Sequence, residues 1–136
     1  MSYAVTAALQ SAVFARLAGD GAVQAAVGGA VYDAVPPDPG LPQTYVAIGP
    51  EEARDRSDKT GRGAEHDFTV SVVSRAAGFQ PAKVAAAAVS DALVGAEMAL
   101  SRGRLVEIVF LRARARRLDD AAVRQIDITF RARVED

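Results

Sequence analysis

The residue types that carry chemistry in proteins are sparse along these 136 residues. No cysteine is present, which excludes disulfides, thiol nucleophiles and thiolate-ligated zinc. The single histidine, His66, has no second imidazole with which to build a multi-histidine metal site. It opens a strand beside two carboxylates and reads as a surface or hydrogen-bonded strand-edge residue. Glu51, Glu52, Asp55, Asp58, Glu65 and Asp67 concentrate negative charge, but their spacing is not that of a calcium loop. Adjacent side chains of an extended chain point to opposite sides, so neither Glu51-Glu52 nor Asp119-Asp120 makes an acid/base pair. Asp119-Asp120 reads instead as a turn between two strands. Lys59-Thr60-Gly61-Arg62-Gly63 looks like a phosphate-cradling loop, yet it lacks the Walker spacing and precedes a strand rather than a helix. The expectation is no catalytic residue, no cofactor and no metal.

What remains is a basic cluster, Arg112, Arg114, Arg116 and Arg117, with Arg102 and Arg104 upstream. If the strand before it continues, Arg112, Arg114 and Arg116 form a stripe on one face. Such a stripe can contact phosphates and add salt dependence to binding. No aromatic residue interleaves with it, so base stacking is not indicated. The same arginines suit a subunit interface in which they meet acidic residues of the 51–67 segment, and that is the preferred reading.

These side chains must be positioned by a framework, and hydropathy periodicity outlines it. Leu9, Val13 and Leu17 recur at helical spacing between Tyr3 and Ala18, with Gly19 as a stop. Asp20 is placed to cap a second short helix that Gly28-Gly29 ends. Val31 to Val35 reads as a short strand and the proline-rich stretch 36–42 as an extended loop. Tyr45 to Ile48 and His66 to Ser74 read as strands, joined by Glu51 to Glu65 as a mobile polar arm. Pro81 suits the start of an Ala-rich helix carrying Ala85, Val89, Ala92 and Leu93 on one face. Leu105 to Leu111 is apolar on both faces, so it is either central or covered by a neighbouring subunit. From Arg124 to Val134 apolar and polar residues alternate cleanly. The pattern predicts one α+β domain over 1–136: a mainly antiparallel sheet of four to five strands, two main helices and a long hairpin arm at 51–65.

Charge is nearly balanced at 16 basic and 17 acidic residues, which excludes a globally basic chain. The balance hides segregation: residues 102–136 carry nine basic and six acidic groups, residues 1–101 seven and eleven. No apolar run approaches the ~20 residues that span a bilayer, and no basic leader precedes the first apolar residues. A soluble protein without membrane contact is expected.

Taken together, these segments resemble the tail-terminator, or tail completion, proteins of long-tailed phages, most closely the versions in gene transfer agents. The likeness is carried by the opening helix with Leu9, Phe14 and Leu17, and by Val31-Tyr32-Asp33-Ala34-Val35-Pro36. Pro42-Gln43-Thr44-Tyr45-Val46, Lys59 through His66, Val72-Val73-Ser74-Arg75 and Phe110 through Arg117 continue it. One departure is Asp119-Asp120-Ala121-Ala122, where an Asp-Gly hairpin turn is expected. The resemblance implies a non-enzymatic subunit that assembles as a homohexameric ring. Its partners would be the tail tube protein and the head–tail connector, with DNA passing through the lumen in weak, non-specific contact. Assembly would occur in the cytoplasm and end in the tail neck of the particle. Candidate contacts to the next subunit or the tube are Glu51, Glu52, Arg54, Asp55, Arg56, Lys59, Arg62, Leu105, Val109 and Leu111. Arg112, Arg114, Arg116 and Arg117 are candidates for the lumen or the interface. A sequence-independent nucleic-acid-binding module using the 112–117 stripe is the alternative.

Overall fold

The structure, a computed structural model, describes residues 3–37, 40–59, 61–118 and 122–136. Helix α1 (Thr6–Gly19) forms on the Leu9, Val13, Leu17 spacing and buries all three side chains. Helix α2 (Gly21–Val27) starts where the Asp20 carboxylate accepts from the Val23 N–H. It ends at Gly28, in the left-handed region at φ 59°. Strand β1 (Val31–Tyr32) is brief, and β2 (Thr44–Asp55) and β3 (Gly63–Ser74) follow. Helix α3 (Gln80–Leu93) has Pro81 in its first turn, and β4 (Arg104–Leu118) and β5 (Val123–Glu135) complete the chain.

The five strands form one sheet in the order β1-β2-β3-β5-β4. Only β1–β2 is parallel; the other three pairings are antiparallel. The α+β expectation therefore holds. One sheet face, carrying Val46, Phe68, Val70, Val72, Ile126, Ile128 and Phe130, packs on Leu9, Val13, Leu17, Val23, Val89 and Leu93 from the helices. The small side chains of Ala82, Ala85 and Ala92 are buried in the same core and let α3 lie close.

The 51–65 segment departs from expectation. Glu51 to Asp55 pair with Phe68 back to Ala64, so most of the polar arm is strand. Beyond Asp55 the Arg56 N–H donates to the Gly63 carbonyl and the Asp58 N–H to the Gly61 carbonyl. Charged side chains replace apolar ones along these strands because ion pairs cross between them, and backbone pairing needs no apolar face. Strand β4 likewise runs past Leu111 to Leu118, which makes the arginine stripe a real one. It lies at the sheet edge rather than the centre. The turn expected at Asp119-Asp120 falls outside the described residues.

At the far end of the sheet a small second cluster forms from Val5, Ala64 and Val134, flanked by Leu100 and Leu105. Gly103 closes it at φ 72°, and a Cβ there would stand 2.6 Å from the Glu135 carbonyl oxygen and 2.9 Å from Val5 Cγ2. Gly103→Ala therefore combines a strained backbone with a clash and is expected to cost about 2 kcal/mol or more. Gly21→Ala, where a Cβ meets nothing within 4 Å, is the matched control and should leave stability unchanged or slightly raised. Thermal unfolding of the two variants checks the contrast.

Candidate functional site: the open sheet face and the β4 edge

Residues opposite one another across a strand pair share a face. The register thus sends Glu52, Asp67 and Arg131 together to the face without helices. It does the same for Arg112 with Thr129, Arg114 with Asp127, and Arg116 with Gln125. Arg117 lies opposite Arg124 and so belongs to the other face.

The acidic residues of the 51–67 segment other than Glu52 are engaged within the chain. Arg131 forks onto Asp67, with Nε 2.8 Å from Oδ1 and Nη2 3.0 Å from Oδ2. Arg54 Nη2 reaches the same Oδ2 at 2.8 Å, and the Nε atoms of Arg54 and Arg56 lie 3.3 and 3.1 Å from Glu65 Oε1. The hydrogen bond from Arg131 is the main reason the Asp67 carboxyl sits below the usual carboxylate range. These pairings are intramolecular and join the acids to Arg54, Arg56 and Arg131 rather than to Arg112, Arg114 and Arg116 of the same chain. Asp55 accepts from the Ser57 hydroxyl at 2.7 Å. Lys59 and Arg62 stand exposed at the turn.

Between Pro50 and the arginine stripe lies a groove of about 420 Å³. Its floor is a row of hydroxyls, Thr69, Ser71 and Thr129, with Gln125 and Asp127. Asp127 accepts from Ser71 at 2.6 Å, Gln125 at 2.8 Å and Arg116 at 3.3 Å. Burial pushes its carboxyl up, but those three hydrogen bonds outweigh burial and leave it below its ordinary value. Arg112 and Arg114 have no acidic partner among the described residues. Two free guanidinium forks above a hydroxyl floor are suited to carboxylate or phosphate oxygens.

On the helix-side face, Glu51 turns inward. Its Oε1 lies 3.0 Å from His66 Nδ1, and the Thr6 hydroxyl donates to the same carboxylate at 2.8 Å. His66 is fully buried beneath the Tyr3 ring, with centroids 6.0 Å apart. It is hydrogen-bonded, as expected, but it lies neither at the surface nor on an edge, since β3 runs between β2 and β5. This tie between the first residues and the sheet has no sequence signal, because it depends on a contact across 45 residues. Among the described residues no group of His, Asp and Glu is arranged to hold a metal.

The second feature is the edge itself. Leu105, Val109 and Leu111 are half-buried, while Val106 and Phe110 are 41% and 49% exposed. Bulges beside Val106 and Leu111 shift the register, so both faces of the strand receive apolar side chains. A free edge with exposed large apolar groups is a hazard for an isolated molecule and an asset for one that assembles.

One helix-covered face, one ion-paired face and one apolar edge are the build of a structural, contact-making subunit. Comparison with known proteins agrees: the chain belongs to the family described as tail completion protein gp17, which matches residues 11–135. It is thereby a structural tail protein. It is also similar to a chain in a solved structure described as the virion of a native gene transfer agent particle. The two share 63% identity and a TM-score of 0.93, over 99% of this chain and 100% of that one. No curated protein matches it.

The Asp67 pairings carry a pH signature. A carboxylate whose pKa is lowered on folding contributes stability above its unfolded value, about 3.9, and loses it as pH falls through the lower folded value. Asp67→Asn should therefore lower the melting temperature at pH 7. The gap to the parent protein should close as the pH drops below about 4, as read from melting curves across that range.

Proposed function

We propose that this chain is the tail terminator of a gene-transfer-agent or phage-type particle. Six copies close into a ring on the end of the tail tube and join it to the head–tail connector, and DNA crosses through the lumen. The subunit carries out no catalysis. The observation that carries the reading is the whole-length similarity to a chain of a gene transfer agent virion, at 63% identity. The exposed apolar edge of β4 supports it, since a head-to-tail interface that closes on itself hides such an edge in every copy. The protein acts inside the producing cell during assembly and then resides in the tail neck.

The assembly state tests the reading. Light scattering of the purified protein, alone and with purified tail tubes, should show a ring-sized species in one or both conditions. A monomer that stays monomeric and never associates with tubes contradicts it.

Arg112 and Arg114, which have no acidic partner among the described residues, favour one additional reading, sequence-independent contact with nucleic acid. A dedicated DNA-binding module would bind at low salt with a slope that falls by about 1 for each phosphate contact removed. Arg112→Ser and Arg114→Ser, measured by fluorescence anisotropy against salt, give that slope. A terminator whose lumen lets DNA slide should bind only weakly and lose little in the variants.

A further inference from the structure

The ring reading leaves open where the copies meet. We propose that the outer edge of β4 in one copy adds as an antiparallel strand to the outer edge of β2 in the next, so that the sheet continues from subunit to subunit. The proposal rests on the ring reading and commits to a second copy of this chain as the occupant of the β4 edge.

Both edges are open over comparable lengths. β1 covers β2 only at Val46 and Ala47, and no described residue bonds the outer backbone side of residues 48–54. On β4, the Gly95 N–H donates to the Ile108 carbonyl at 3.1 Å, and beyond it no described residue bonds the outer backbone side as far as Leu118. The directions also fit. Three successive antiparallel pairings, β2–β3, β3–β5 and β5–β4, make β4 run opposite to β2. A neighbour's β4 laid beside β2 therefore pairs antiparallel, which needs no crossover connection.

The groups that face outward are also matched. Outward N–H and C=O groups alternate along an antiparallel strand. Val46 already points outward, bonding Ala30 at 2.8 Å, and Ile108 does so toward Gly95. Continuing that alternation through the register brings Ile48, Glu51 and Ala53 outward on β2, and Phe110, Ala113 and Ala115 on β4. None of them is proline, so every position can both donate and accept.

Charge selects this pairing over the symmetric one. Two β4 edges joined to each other would bring two arginine stripes onto one face, and like charges directly opposite repel. With β2 as the partner, Arg112 and Arg114 come to the same face as Glu52, which has no partner of its own among the described residues. Different edges joined head to tail form a heterologous contact, the kind that closes rings.

The absence of cysteine makes the test clean. Glu52→Cys and Arg114→Cys are made singly and together, assembled with tail tubes, imaged by electron microscopy and treated with a short bis-maleimide. The double variant should give a ladder of covalent multimers up to the ring, while each single variant stays monomeric on a denaturing gel. Covalent dimers from Arg114→Cys alone overturn the proposal in favour of β4 against β4. Rings in the micrographs without a ladder overturn the edge pairing and leave the ring reading intact. Neither rings nor a ladder overturns both. As a second variant, Ala113→Pro removes one outward N–H without removing a bond to β5. It should keep the parent circular dichroism spectrum and lose the ring, and folded protein that still forms rings counts against the interface.

Discussion

The structure depends on one constraint, the two-residue period of β5 held between β3 and β4. Because β5 pairs along both sides, Ile126, Ile128, Phe130, Ala132 and Val134 are committed to the helices. Gln125, Asp127, Thr129 and Arg131 are committed in turn to the open face. A slip of one residue would exchange the two sets and put charges into the core. The position of the arginine stripe, the hydroxyl floor beneath it and the forked pair of Arg131 with Asp67 all follow from this register.

The same arrangement distributes the chain's charge unevenly in space as well as in sequence. The β2–β3 end is largely self-neutralised through Arg54, Arg56, Arg131, Glu65 and Asp67. Exposed ion pairs of this kind add little stability each, and their joint effect is to hold a polar hairpin in one register. Within the stripe, Arg116 finds an acid, Asp127, and its neighbours Arg112 and Arg114 have no acidic partner among the described residues. A structural tail protein needs surfaces that are stable alone and unsatisfied in one place, and the sheet supplies both.

Much of this was legible in the residues. The alternation from Arg124 to Val134, the helical spacing of Leu9, Val13 and Leu17, the Asp20 cap and Pro81 each report a local rule, and each element formed where its rule placed it. Apolar periodicity does not reveal the polar arm as strand, because residues 51–55 and 63–65 are held by backbone pairing and cross-strand charge. Apolar residues on both faces of Leu105–Leu111 offered two explanations, and only the strand order, a long-range property, placed β4 at the edge. The burial of His66 against Glu51, Thr6 and Tyr3 was invisible for the same reason. The groove floor lay within the alternation of β5, but the pairing of Asp127 with Ser71 joins positions 56 residues apart.

The central claim is that this subunit works by closing on copies of itself at the end of a tail tube. Cryo-electron microscopy of the neck of the parent particle tests it most directly. The account predicts six copies in one closed ring between tube and connector, each β4 edge covered by the next subunit. Finding the chain elsewhere in the particle, or in the neck with its β4 edge bare, would contradict it.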